Sequence, residues 1–206
     1  MVNQPSFGLQ GRIGETSSQV LPLALVDALR EVVGVEAAEQ ILLGVSGDTH
    51  KPLSMAKIGM VEETLKTTFG EAAGRGFALR AGRAAFNQIL RRLGVELGFL
   101  EMEYRLQPAR LRLRTGLLRL GEVLFPSSWA GAQVEERNDR WIWKVSPCRD
   151  AGSNSGWHLP RFFLIGVLQE FFAWSSGGKY YLVQCEGGES ANSASVVFEV
   201  VKQPLE

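Results

Sequence analysis

The sequence holds few side chains of the kinds that perform acid–base or nucleophilic chemistry. Its two histidines are His50 and His158, and its two cysteines are Cys148 and Cys185. Histidine is the most common general acid or base because its pKa lies near neutrality. Neither histidine stands beside a serine or cysteine in a nucleophile motif, so only the fold could bring such partners together. This inventory favours a protein that binds a molecule over one that transforms it.

The two thiols do not form a redox or metal motif, because no CxxC spacing joins them. A buried, inert thiol is the expected state of Cys185, which ends an apolar strand. Cys148 lies in a predicted loop, where a redox or acylation site is the alternative. Unpaired cysteines and an N-terminal segment without a secretory pattern favour a reducing compartment, so we expect a cytoplasmic protein.

The C-terminal half carries most of the aromatic side chains that could contact a ligand. His158 follows Trp157 at the start of an apolar stretch, whereas His50 lies in a polar segment that indicates an exposed loop. Ligand pockets are largely apolar and aromatic, so a flat apolar molecule is a suitable ligand for such a cluster. The alternative is that these aromatic side chains fill the core, and the sequence leaves both readings open.

Charge and glycine patterns exclude several classes of partner. The 22 basic and 22 acidic residues cancel, which disfavours nucleic acid and anionic membranes. No apolar run reaches the roughly 18 residues of a membrane span. The glycines of Gly74-Arg75-Gly76 and Gly177-Gly178 lie outside any phosphate-loop motif, which disfavours nucleotides. Arg80 and Arg83, beside Gly82, would pair with a ligand carboxylate if they were buried, or would otherwise lie at the surface.

Apolar periodicity predicts a helical first half. Residues 1–20 lack such periodicity and are expected to form a flexible leader, so that residues 21–206 form a single domain. Apolar residues at helical spacing predict helices over 23–33, 37–43, 57–69, 71–93 and 106–124, the last of which Pro126 would end. Glycines within 71–93 indicate close helix packing or a bend.

The second half changes to strands. Runs at 132–137 and 140–145, joined across Asn138-Asp139, predict a hairpin. An apolar helix over 160–174 and strands over 179–185 and 195–202 follow. The predicted fold class is α+β, in which a helical N-terminal half packs on an antiparallel four-stranded sheet in two layers.

This order of elements resembles the 4-vinyl reductase domain family. The residues that carry the resemblance are Ser146-Pro147, Phe163, Gly166, Gly177-Gly178-Lys179, Cys185, Gly187-Gly188 and Phe198. An upstream stretch with Phe69-Gly70, Leu79-Arg80-Ala81-Gly82-Arg83, Phe86 and Leu90-Arg91 is similar to the long helix that precedes the domain in bacterial members. The resemblance spans roughly residues 22–202. It implies a fold shared with vesicle-tethering TRAPP subunits and haem-based nitric-oxide-binding domains, and an apolar pocket.

One branch of the family, the phenol-responsive regulators, binds zinc through four residues, of which this chain keeps Cys185 alone. Leu182, Ser193 and Arg161 stand at the other three positions. One thiolate does not hold a zinc ion, which needs three or four protein ligands. We therefore predict no metal and no cofactor.

The resemblance and the residue inventory together favour a non-catalytic domain that binds or senses an apolar, aromatic or tetrapyrrole-like small molecule. The predicted ligand contacts are Arg83, Trp141, Trp143, Trp157, His158, Phe162, Phe163 and Cys185. The helices at 71–93 and 106–124 would form a homodimer surface. Two alternatives are an accessory factor or reductase of tetrapyrrole synthesis, and a scaffold subunit like the tethering proteins.

Overall fold

The computed structural model describes residues 13–47, 55–125, 130–147, 160–186 and 196–205, and within these ranges the chain forms seven helices and four strands. The helices are α1 (Ile13–Val33), α2 (Val35–Ser46), α3 (Met55–Phe69), α4 (Glu71–Leu93), α5 (Met102–Arg105), α6 (Ala109–Leu124) and α7 (Arg161–Ser176). The strands are β1 (Ala130–Glu136), β2 (Arg140–Pro147), β3 (Tyr181–Glu186) and β4 (Val196–Pro204). The predicted α+β class is confirmed.

The four strands form one antiparallel sheet in the order β1-β2-β4-β3. Its central rung pairs Val134 with Trp143, Trp143 with Phe198, and Phe198 with Cys185. The predicted hairpin at residues 138–139 is confirmed, since the Arg137 N–H donates to the Arg140 carbonyl across 2.9 Å. Helix α6 packs against β1 and helix α7 packs against β3, so both lie on the sheet.

The first helix begins earlier than the apolar periodicity predicts. Helix α1 starts at Ile13 and continues through Pro22, so the predicted boundary between leader and domain at residue 20 falls inside it. Proline inside a helix costs about 3 kcal/mol relative to alanine. Packing offsets this cost, because Leu25 and Leu29 of α1 are buried and the helix packs against α4.

The helix predicted over residues 106–124 ends where expected but begins three residues later, at Ala109. Residues 106–108 separate the short helix α5 from α6, and α6 begins directly after Pro108. The proline ring disfavours helical dihedrals in the residue before it, whereas it is well tolerated where a helix begins. Pro126, the predicted stop, lies outside the described residues, and α6 ends at Leu124.

Helices α4 and α7 cross at two glycines, one on each helix. A Cβ on Gly82 would lie 2.0 Å from the Phe163 carbonyl oxygen, and a Cβ on Gly166 would lie 2.1 Å from the Leu79 carbonyl oxygen. No side chain fits at those distances, so the two backbones pack directly against each other. The sequence-based expectation of close helix packing along α4 is met at Gly82.

An aromatic cluster fills the core between α4, α6 and α7. The Phe99 ring lies 5.2 Å from Tyr104, 6.1 Å from Phe171 and 5.6 Å from Trp174, measured between ring centroids. Phe86 contacts the same cluster at 5.9 Å from Phe171. Each such pair contributes about 0.5–1.5 kcal/mol beyond the burial of its surface. The cluster therefore stabilises the packing of the helices on one another.

Candidate functional site

A carboxylic acid lies among the buried apolar residues of helix α3. Ile58, Val61 and Leu65 form the buried stripe of this helix, and each is at most 3% exposed. Glu62 follows Ile58 by four residues and therefore lies on the same helix face. It is 4% exposed. Carboxylates are almost never this deeply buried without a specific partner.

The partner of Glu62 is the amino end of helix α7. The Phe163 backbone N–H donates a hydrogen bond to Glu62 Oε2 across 3.1 Å. The first N–H groups of a helix have no acceptor inside it, and Pro160, the N-cap residue of α7, makes no capping hydrogen bond through its side chain. Glu62 therefore caps α7 from another helix, where a negative charge also interacts favourably with the helix dipole.

Burial determines the protonation of this carboxyl. Removal from water disfavours the charged form and raises the pKa of Glu62 from 4.5 to about 7. The hydrogen bond from Phe163 and the positive charge of Lys66 oppose this shift. Lys66 Nζ lies 4.0 Å from Glu62 Oε1, whereas it lies 2.8 Å from Glu63 Oε1 at the surface. Lys66 therefore pairs with Glu63, and its attraction to Glu62 is too weak to cancel the cost of burial.

A small void of about 10 Å³ lies beside Glu62. This volume corresponds to about one water molecule. Its lining surface is apolar, although Glu62 is among the residues that form it, and it draws on α1, α3, α4 and α7. The lining residues are Leu25, Leu29, Ile58, Val61, Glu62, Leu65, Ala78, Ala81 and Phe163. A buried acid with a raised pKa beside an apolar void is a candidate functional site.

A second, larger depression of about 190 Å³ lies between α2 and α3. Its lining comprises Ala37, Gln40, Ile41, Thr64, Thr68 and Phe69. None of these side chains carries a charge, and none has a shifted pKa. The void beside Glu62 is therefore the better candidate site, although it is smaller.

Two of the predicted tryptophan contacts, Trp141 and Trp143, lie in the sheet and not at this void. Trp143 is fully buried, with its ring 5.6 Å from Phe125 and 5.7 Å from Phe198. Trp141 is also buried, and Lys202 Nζ lies 4.9 Å from the centroid of its ring. Both side chains belong to the core of the described residues.

The two predicted phenylalanines lie in the first turn of α7, next to Glu62. Phe163 lines the void and supplies the N–H that Glu62 accepts. Phe162 is half-buried, and its ring centroid lies 5.7 Å from Lys66 Nζ and 5.1 Å from the Arg75 guanidinium carbon. Of the predicted ligand contacts, Phe163 is the one that lines the void.

The remaining predicted contacts lie elsewhere. Arg83 donates to Gln169 Oε1 through Nη2 at 2.6 Å and through Nε at 3.2 Å, which ties α4 to α7. Cys185 is half-buried on β3, and burial raises the pKa of its thiol. Trp157 and His158 lie outside the described residues, as do His50 and Cys148.

Sequence reasoning missed Glu62, although the sequence carries a signal for it. The apolar positions Ile58, Val61 and Leu65 define a stripe, and Glu62 interrupts that stripe one residue after Val61. A charged residue on the apolar face of an amphipathic helix is a candidate for a specific buried interaction. The sequence does not indicate that its partner is an N–H group 101 residues away.

Within the described ranges, no group of three or more histidine, cysteine, aspartate or glutamate side chains is placed to hold a metal ion. No described helix is both long enough and apolar enough to cross a membrane.

No protein-family model and no curated protein matches the sequence, but its structure is similar to solved H-NOX domains. An oxygen-binding H-NOX domain related to soluble guanylate cyclases, solved as its oxygen complex, has a TM-score of 0.55 at 11% identity, covering 91% of this chain and 96% of that one. An H-NOX protein from S. oneidensis in the Fe(II)NO ligation state has a TM-score of 0.57 at 9% identity, covering 92% and 99%. A mutant of T. Tengcongensis H-NOX has a TM-score of 0.57 at 10% identity, covering 92% and 100%.

These likenesses extend over nearly the whole length of both chains, so the protein has the H-NOX fold. The expected likeness to haem-based nitric-oxide-binding domains is thereby confirmed at the level of the fold. The resemblance to the 4-vinyl reductase family stays a prediction.

Proposed function

We propose that this chain is a non-catalytic domain that binds or senses an apolar small molecule between helices α1, α3, α4 and α7. The observation that carries the proposal is the buried carboxyl of Glu62 beside an apolar void. The solved H-NOX proteins of the same fold, studied in ligation states with oxygen and nitric oxide, support a sensing role by analogy.

Haem, which the fold implies, does not fit the voids that the described residues form. Pockets for ligands of drug size or larger occupy about 300–1,000 Å³. The void at Glu62 is about 10 Å³, and the depression between α2 and α3 is about 190 Å³ and is not enclosed by aromatic residues. The described residues include no histidine to serve as axial ligand. We therefore propose an apolar or aromatic ligand smaller than a tetrapyrrole.

The void must enlarge to admit such a ligand. Its walls include the buried side chains of Leu25 and Leu29 of α1 and Leu65 of α3, which would have to change rotamer when a ligand binds. Ala78 and Ala81 form the α4 wall and leave room that larger residues would occupy. The candidate site is therefore a small apolar void with the buried acid Glu62 beside it.

Native mass spectrometry of the purified protein tests the proposal. We expect a small molecule that co-purifies with the wild-type chain and is lost from Ala81→Val, which adds two carbons at the void. Ala73→Val is the matched control, because Ala73 is exposed on the same helix and the substitution has the same helix propensity cost. Circular dichroism verifies that both variants fold.

Two outcomes would contradict the proposal. The first is that neither a co-purified mass nor binding of small apolar probes such as benzene is found for the wild-type chain. The second is that Ala81→Val and Ala73→Val retain the bound molecule equally, which would place the ligand at another site.

A further inference from the structure

We propose that helix α5, the residues that follow it and the first half of helix α6 form a docking surface for an anionic lipid bilayer, on which the protein would lie peripherally. The surface combines exposed apolar side chains with arginines that have no acidic partner. We call it the α5–α6 face, and its members are Met102, Arg105, Leu106, Leu111, Arg112 and Arg114.

Three apolar side chains project from the α5–α6 face. Met102 is 72% exposed, Leu106 is 75% exposed and Leu111 is 52% exposed. Met102 and Leu106 are four residues apart, so they lie on the same side of the helical turn that α5 forms. A single exposed leucine is common at a protein surface, whereas several on neighbouring turns indicate a contact surface.

Tyr104 holds this face in place. Its side chain is 1% exposed, and its ring stacks on Trp174 with 6.2 Å between the ring centroids. The Tyr104 hydroxyl donates a hydrogen bond to the Arg112 carbonyl oxygen across 3.0 Å, and Arg112 Nη1 donates one to the Arg105 carbonyl oxygen across 2.8 Å. The short helix α5 is therefore fixed against α6, and the exposed side chains of both helices form one surface.

The face is locally basic, although the whole chain is neutral. Residues 104–121 contain five arginines and no acidic residue. Arg110 pairs with Glu136 at 2.7 Å. Among the described residues, no carboxylate forms an ion pair with Arg105, Arg112 or Arg114. Because salt screens exposed charges more than about 8 Å apart at physiological ionic strength, this local charge decides the attraction to an anionic surface, and the balance of the whole chain does not.

Other partners match this face less well. Nucleic acid would contact the arginines through its phosphates but leave the leucine and methionine side chains without a partner. An apolar helix of another protein docks into a groove, and the two voids described above are lined by other residues. A second copy of this chain that paired through the same face would set the arginines against their own equivalents. A bilayer with anionic headgroups accepts both the apolar side chains and the positive charges.

Co-sedimentation of the full chain with extruded vesicles tests the inference. One set of vesicles contains phosphatidylserine and phosphatidylcholine in equal amounts, and the other contains phosphatidylcholine alone. At low salt we expect the wild-type chain to bind the anionic vesicles at least about tenfold more tightly than the neutral ones. High salt should weaken this binding, because it screens the attraction between the arginines and the headgroups.

Two variants of the α5–α6 face separate charge from apolar contact. The double variant Arg105→Gln/Arg114→Gln removes two exposed arginines without acidic partners among the described residues. At about fivefold per arginine, it should bind anionic vesicles about 25-fold more weakly than wild type and lose most of the salt dependence. Leu106→Ser should weaken the binding by about tenfold and leave its salt dependence unchanged, because salt does not screen apolar contacts.

The matched controls alter exposed residues on other helices. Arg75→Gln/Arg80→Gln removes two exposed arginines from α4, and Leu43→Ser removes a leucine that is 54% exposed on α2. Both controls should bind anionic vesicles as wild type does. Because all of the substituted side chains are exposed, every variant should keep the circular dichroism spectrum and the thermal midpoint of the wild type.

Several results would overturn the inference. The first is equal binding to anionic and neutral vesicles, or no binding to either. The second is a loss of binding that is as large in the controls as in the variants of the α5–α6 face. Tighter binding to a DNA duplex than to anionic vesicles at the same salt concentration would assign the face to nucleic acid. Self-association without vesicle binding, abolished by Leu106→Ser, would assign it to a second copy of this chain.

Discussion

Glu62→Gln should change how the stability of the protein depends on pH. Glutamine has nearly the same shape as glutamic acid but stays neutral at every pH. Burial raises the pKa of Glu62 from 4.5 to about 7, so the folded protein favours the neutral carboxyl. The wild-type chain is therefore most stable, relative to the variant, below pH 4.5. That advantage is lost as the pH rises through the window from 4.5 to about 7 and stays lost above it.

The magnitude follows from the two pKa values. Each tenfold change in proton affinity corresponds to about 1.4 kcal/mol, so the difference between 4.5 and about 7 corresponds to about 3 kcal/mol. Solvent screening reduces this little, because Glu62 is 4% exposed. From pH 4.5 to pH 8, the free energy of unfolding of Glu62→Gln should rise by about 3 kcal/mol relative to wild type.

Urea unfolding of wild type, Glu62→Gln and Glu122→Gln at pH 5, 6, 7 and 8 measures this difference. Glu122 is exposed, so its variant should follow wild type within about 0.5 kcal/mol at every pH. A difference between Glu62→Gln and wild type that stays constant from pH 5 to 8, or that changes in the opposite direction, would refute the reasoning. It would mean that Glu62 is hydrated or paired in solution.

Three further predictions address the contacts of helix α7. In NMR spectra recorded over a range of pH, the Phe163 amide resonance of the wild type should shift with a midpoint near pH 7, and that of Glu62→Gln should stay constant. A midpoint near pH 4.5 would contradict the buried hydrogen bond. Gly166→Ala should lower the free energy of unfolding by about 1–3 kcal/mol, because its Cβ would lie 2.1 Å from the Leu79 carbonyl oxygen. Gly76→Ala, where a Cβ has no neighbour within 4 Å, should instead raise it by about 1 kcal/mol, and a loss at both glycines would argue against a close crossing. Phe163→Ala and Trp143→Ala should each lower the free energy of unfolding by about 3–5 kcal/mol. Only Phe163→Ala should also lower the amount of ligand bound per folded molecule, because Phe163 lines the void. If both variants retain the ligand equally, the ligand binds away from the void.

Most of the elements could be predicted from the sequence, because each depends on local periodicity. Helix α4 has the predicted bounds, and the β1–β2 hairpin forms across the predicted turn. The errors arise where one local signal opposes another. Pro22 suggested a helix start but lies inside α1, where packing against α4 offsets its cost. Pro108 places the start of α6 at Ala109, three residues after the start that the leucine spacing indicates.

The candidate site could not be predicted in the same way, because its parts come from distant positions. From its sequence position Arg83 is a candidate ligand contact. The sequence does not indicate that its guanidinium donates a hydrogen bond to Gln169, 86 residues away. The aromatic residues of the second half have the composition expected of either a pocket or a core. Only the three-dimensional packing shows that Trp143 is enclosed by Phe125 and Phe198.

Shared fold and shared ligand are separate properties in this protein. The likeness to H-NOX structures extends over about nine-tenths of the chain. Because only about a tenth of the aligned residues are identical, the residues that line a pocket can differ between this chain and those proteins. Here Phe99, Tyr104 and Trp174 pack into one another between the helices, so no room for a macrocycle is left in that cluster. The shared fold therefore does not determine the ligand, because aromatic side chains occupy this part of the interior of the described residues.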